Sequence, residues 1–153
     1  MSAHSQRAME LFKQGYNCSQ AVVGAFGDML ELDFETLMML SSSFGGGMGR
    51  LREVCGAVSG MLMVAGLLKG YSDPTDHCAK TEHYKLVQEL AKHFKEKNGS
   101  IICRELLDLA QMQDNPVPEI RTEEYYKKRP CALLVGDAAE ILDKMLTINI
   151  SDN

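Results

Sequence analysis

No two of the five cysteines form a C-x-x-C pair. The short runs that commonly hold iron–sulfur clusters are therefore missing, and so is the C-x-x-C-H motif of haem attachment. There is no G-x-x-x-x-G-K-[ST] phosphate loop. Gly-Gly-Gly-Met-Gly at residues 45–49 lacks the preceding strand that a dinucleotide fingerprint requires. No segment alternates polar and apolar residues as a half-buried strand would, and there is no internal repeat or low-complexity tract. Residues 1–15 lack the apolar region of a secretory signal and read as an amphipathic helix. The longest apolar stretch, Val54 to Leu68, falls short of the roughly 20 residues that cross a bilayer. It holds Gly56, Gly60 and Gly66 and reads as a buried core helix, so no membrane insertion is expected. Basic charge is also scarce. Sixteen Lys and Arg against 21 Asp and Glu give a net charge of −5, which argues against a nucleic-acid partner.

What remains is an ordinary soluble composition. With 153 residues, 45% of them hydrophobic and 24% charged, the chain suits one domain with a real core. The domain is expected over residues 1–148, with 149–153 as a short tail. The expected location is cytoplasmic. In a reducing compartment cysteines serve as thiols, metal ligands or transient disulfides, and an odd count fits poorly with a fully paired framework.

The apolar spacing is helical almost throughout, predicting an all-α bundle of about six helices. Ala8, Leu11 and Phe12 mark the first, ended by Gly15. Asn17 is a good N-cap and sets Cys18 at the first position of the second, which continues through Ala21, Val22, Ala25 and Phe26. Phe34, Leu37, Met38 and Phe44 mark the third, and the glycines at 45–49 break any helix. The fourth runs from about Val54 to Leu68. Asp73-Pro74 reads as the start of the longest helix, which carries Tyr84, Val87, Leu90, Ala91 and Phe94 on one face and closes at Asn98-Gly99. Ser100 reads as the cap of a short helix with Cys103 in its first turn. Gln113 to Arg121, with Pro116 and Pro118, reads as a loop. The last helix starts at Pro130.

Four cysteines thus fall at helix starts: Cys18, Cys55, Cys103 and Cys131. Unpaired N–H groups and the helix dipole favour thiolate there. Such a position points to a nucleophile, redox group or metal ligand. Cationic neighbours point the same way: Arg50 and Arg52 before Cys55, Arg104 after Cys103, and Lys127, Lys128 and Arg129 before Cys131. Gly56 and Gly60 share a helix face and would admit a second helix or a cofactor, with Arg50 beside them. The plainer alternative is that the cysteines are small buried hydrophobes and the charges are simply solvated. Cys78 sits inside its helix, next to His77, and reads as a bystander. The remaining histidines, the carboxylates Asp76, Glu82 and Glu89, and the ten methionines read as surface or core residues rather than as a site.

Cys55-Gly56-Ala57-Val58-Ser59-Gly60 matches a C-G-A-x-x-G motif, and Cys18, Cys103 and Cys131 flank it in order. On these residues the chain resembles the C_GCAxxG_C_C family of redox-active proteins. The resemblance implies a redox role for the four thiols and brings no known substrate. The expectation is a redox protein whose four cysteines ligate an iron–sulfur cluster or another metal, or exchange disulfides. The alternative is a structural or binding module in which they hold zinc or are merely buried. An electron- or thiol-bearing partner and a homodimer complete the expectations.

Overall fold

In the computed structural model, Ser2, Asn17, Asp33 and Asp76 each accept an N–H from the residue three positions on. Each satisfies an amide that a helix start would otherwise leave unpaired. The structure describes residues 1–109 and 115–151, with the backbone alone for 148–151. The order is α1 (Ala3–Lys13), α2 (Cys18–Ala25), α3 (Phe34–Ser41), a 3-10 turn at Ser42–Phe44, α4 (Gly45–Met48), α5 (Gly56–Lys69), α6 (His77–Asn98), α7 (Cys103–Leu106), α8 (Glu123–Lys128) and α9 (Cys131–Ser151). Among the described residues there is no strand, only one isolated antiparallel bridge between Val54 and Ile102. The class is all-α, as expected. Helix α9 runs three residues into the segment read as a tail, and 152–153 lie outside the described residues.

α1 packs on α2 and α9, α2 on α5, and α5 and α6 on α9. Phe12, Phe26, Phe94, Leu11, Leu37, Met61, Leu90 and Leu142 are fully buried where these helices meet. Each such side chain stabilises the fold by about 1.5–3 kcal/mol relative to exposure. Leu90 and Phe94 are the buried members of the face predicted for α6, whereas Tyr84 is half exposed.

Three local expectations need correction. α6 begins at His77, not at Pro74. The Asp73 carboxylate is taken by the Thr75 amide and hydroxyl in a tight turn, and Asp76 caps the helix through the Ala79 amide. Ser100 does not cap α7. Ile102 stands there, and the Ser100 hydroxyl accepts from the Ile102 amide and bonds Glu105. α8 had no counterpart in the sequence reading, although Thr122 caps it and two glutamates fill its first turn. Of the predicted loop, residues 115–121 are non-helical, while Gln113 and Asp114 lie outside the described residues.

The glycine run does more than break a helix. Gly46, Gly47, Met48, Gly49 and Arg50 all have φ between 60° and 71°, and Arg52 follows at 61°. This is a left-handed turn, closed by the Gly49 amide on the Gly45 carbonyl at 2.9 Å. The glycines adopt it freely. Met48, Arg50 and Arg52 each carry a steric cost of roughly 1–2 kcal/mol.

Candidate functional site

Cys18 opens α2 directly behind a capping box in which Asn17 and Gln20 satisfy each other's amides. Cys131 opens α9 after Pro130. Cys55 is the cap residue of α5, and the Ala57 and Val58 amides face its sulfur. Cys103 opens α7. Two backbone bonds lace the last two segments together: Cys55 N–H to the Ile101 carbonyl at 2.8 Å, and Cys103 N–H to the Glu53 carbonyl at 2.6 Å. In such an antiparallel bridge, Cys55 and Cys103 become diagonal neighbours on one face. All four cysteines line a single cavity of about 250 Å³. Cys78 is exposed on α6, away from this cavity.

The cavity carries a sign opposite to that of the chain. Arg50, Arg52, Arg121 and Arg129 line it, against one carboxylate, Glu119. Arg52 is only 5% exposed, and its Nη1 donates to the Cys103 sulfur at 3.7 Å. Arg50 Nε donates to the Asn115 carbonyl at 2.8 Å. Arg121 stacks on the Phe12 ring and donates to the Phe12 carbonyl at 2.6 Å. Arg129 pairs with Glu119 at 2.7 Å. Of the other cations predicted near the cysteines, Arg104 pairs with Glu53 at 3.3 Å and Lys128 with Glu124 at 2.7 Å. Sequence reasoning missed Arg121, Glu119 and Tyr125. The signal for Tyr125 was the Thr122-Glu123-Glu124 helix start, whereas nothing local marked Arg121.

The expectation that helix starts activate all four thiols is overturned. Burial pushes Cys55 up to about 12, although the Ala57 and Val58 amides oppose it. Burial also raises Cys103, and Arg52 only partly offsets this. Cys18 is raised because it is the hydrogen-bond donor to Cys131, and burial adds to the effect. Cys131 alone is lowered. The bond from Cys18 favours its thiolate against the cost of burial, and Arg129, Arg121 and Arg52 add their charge. At Cys55 and Cys103, removing a thiolate from water costs more than the helix end returns. Burial likewise raises the Tyr125 phenol to about 12.

A metal site requires three or more donors turned on one point. Among the described residues, no group of three His, Cys, Asp or Glu side chains is so disposed.

The glycines set the walls. A Cβ on Gly56 would lie 2.7 Å from the Phe44 carbonyl and 3.1 Å from the Cys18 Cβ. Gly56 therefore brings α5 directly against the start of α2. Gly60, one turn on, faces the Ser19 carbonyl and Val22, so its role is helix approach rather than cavity wall. Gly47 is wedged against Cys103 and the Arg52–Glu53 backbone.

A family model described as "Putative redox-active protein (C_GCAxxG_C_C)" matches residues 16–145. The chain belongs to this family. The match takes in all four cavity cysteines, and the C_GCAxxG_C_C description gives redox activity as the function class. No curated protein and no solved structure matches the chain.

Proposed function

We propose that this protein is a thiol–disulfide redox protein that cycles Cys18 and Cys131 between dithiol and disulfide. The observation that carries this reading is that Cys18 and Cys131, at the starts of α2 and α9, line one cavity together with Arg121 and Arg129. Their contact with each other pulls Cys131 down and pushes Cys18 up, and an exchange pair needs such a division: one sulfur ready as thiolate, its neighbour held as thiol until the second step. Cys131 is the nucleophile and Cys18 the resolving thiol. Oxidation removes two electrons and two protons from the pair, and a disulfide-bearing partner takes them up. Cys55 and Cys103 form a second, more deeply buried pair on the same cavity. Gly56 and Gly60 keep α5 close enough to α2 for the cavity to exist, and Arg50 holds its outer wall. A cytoplasmic setting would return the pair to the dithiol. The pair needs no second copy of the chain.

Titration of free thiols before and after mild oxidation tests this. The expected result is the loss of two thiols and a peptide pair joining Cys18 to Cys131. An unchanged thiol count sinks the reading.

A second reading has one observation in its favour. Four sulfurs on one cavity, ringed by cations, match an anionic iron–sulfur cluster in donor number and softness, and zinc accepts the same donors. The lack of a three-donor group among the described residues stands against both. Iron, sulfide and zinc analysis of protein purified without oxygen separates these from thiol exchange.

A further inference from the structure

Cys131, Cys103 and Cys55 are 7%, 6% and 4% exposed, so they line the cavity without standing out on the surface. A protein disulfide presented on a broad face could not reach them without rearrangement. A small molecule entering the cavity could. Its charge is also specified. The chain as a whole carries five more acidic than basic side chains, yet four guanidinium groups and a single carboxylate line this cavity. A recessed site of one sign concentrates ligands of the opposite sign and speeds their entry.

Arg121 and Arg129 are placed to hold such a ligand. Arg121 is fixed by the Phe12 ring and carbonyl through one of its nitrogens. Arg129 is fixed by Glu119 through another. A guanidinium has five N–H donors in a planar fork, so each retains donors beyond these contacts. Both line the same cavity as Cys131, so a ligand they hold lies in the cavity that the sulfur faces.

Building on the thiol-exchange reading above, we propose that the cavity takes a low-molecular-weight disulfide carrying carboxylates. Arg121 and Arg129 bind its carboxylates while its S–S bond meets Cys131. The Cys131 thiolate attacks one sulfur of the ligand. The S–S bond breaks, a mixed disulfide forms, and the departing thiolate takes a proton from solvent. Cys18 then gives up its proton and attacks the Cys131 sulfur. The mixed disulfide breaks, and the second ligand thiol leaves protonated. The ligand disulfide is reduced to two thiols, and the two protein thiols are oxidised to one disulfide.

The test follows free-thiol loss of the reduced protein with glutathione disulfide, which is anionic, and cystamine, which is cationic. The anionic disulfide should react at least about tenfold faster at low ionic strength, and the ratio should collapse at high salt. Arg121→Gln and Arg129→Gln should each lower the ratio severalfold. Should either variant fold poorly, inhibition of the unmodified protein by sulfate, but not by tetramethylammonium at equal ionic strength, gives the same information. Equal rates, or faster reaction with cystamine, overturn the anionic-ligand inference and leave thiol exchange standing. No thiol loss with either probe, nor with a neutral disulfide, overturns thiol exchange itself.

Discussion

Arg52 Nη1 stands 3.7 Å from the sulfur of Cys103, with the arginine buried and its backbone left-handed. A guanidinium is rarely taken out of water without an anion or acceptor to meet it. Here the acceptor is a thiol, and the strained turn of residues 46–52 delivers the charge to it. The turn and the cysteine are locked together: Gly47 lies against the Cys103 Cβ, and the Arg104 amide donates to the Arg52 carbonyl at 3.2 Å.

Arg52→Met removes the one cation bonded to Cys103. Burial is then opposed only by the weaker pull of Arg129, and the Cys103 thiol rises further. Alkylation of Cys103 at a fixed pH near 8 should slow by about tenfold for each pK unit gained, read by mass spectrometry of the Cys103 peptide.

Cys18→Ser keeps a donor beside Cys131 but exchanges thiol for hydroxyl, whereas Cys18→Ala removes the donor. The alkylation profile of Cys131 should therefore shift to higher pH in Cys18→Ala and shift less in Cys18→Ser. A Cys131 profile identical in the original protein and Cys18→Ala would show that the bond does not hold the thiolate.

His4 bridges two elements, bonding Asp143 at 2.7 Å and Asp28 at 3.0 Å while stacking on Phe26. Burial pushes its pKa down, but the bonds to Asp143 and Asp28 outweigh this, and the net shift is upward. A folded pKa above the unfolded one means that protonated His4 stabilises the fold. That contribution is complete below about pH 6.5 and is lost as pH rises through the raised value. Urea unfolding should give a midpoint that falls as pH rises above about 6.5, and His4→Gln should flatten this part of the profile.

Gly47→Ala meets two obstacles. The residue has φ of +70°, and an added Cβ would lie 2.7 Å from both the Cys103 Cβ and the Glu53 nitrogen. The loss should be about 2 kcal/mol or more, measured by chemical denaturation. Cys103 should also become more accessible to alkylating reagents.

The sequence revealed the site unevenly, for physical reasons. Asn17 and Gln20 are local signals, so Cys18 was placed correctly. Asp73 and Asp76 are both good caps, and only the competition for the Thr75 and Ala79 amides decides between them. The left-handed turn was half visible. Glycines at 45, 46, 47 and 49 announced a break, but nothing in the types of Met48, Arg50 and Arg52 announced positive φ. The thiol properties were the least legible. They depend on burial and on Arg121 and Arg129, which belong to segments far from Cys18, Cys55 and Cys103 in the chain.

The proposed bond would join the start of α2 to the start of α9 and so close a loop through most of the chain. Chain entropy gives a closure of about 100 residues roughly 4–5 kcal/mol. By a thermodynamic cycle, whatever the closed loop adds to the folded state is also added to the difficulty of reducing the disulfide there. For a two-electron couple that is roughly 100 mV more negative than the same two cysteines in an unfolded chain. The potential would thus report the difference in folding stability between the disulfide and dithiol forms, and a core substitution far from either sulfur would leave it in place as long as it weakens both forms equally.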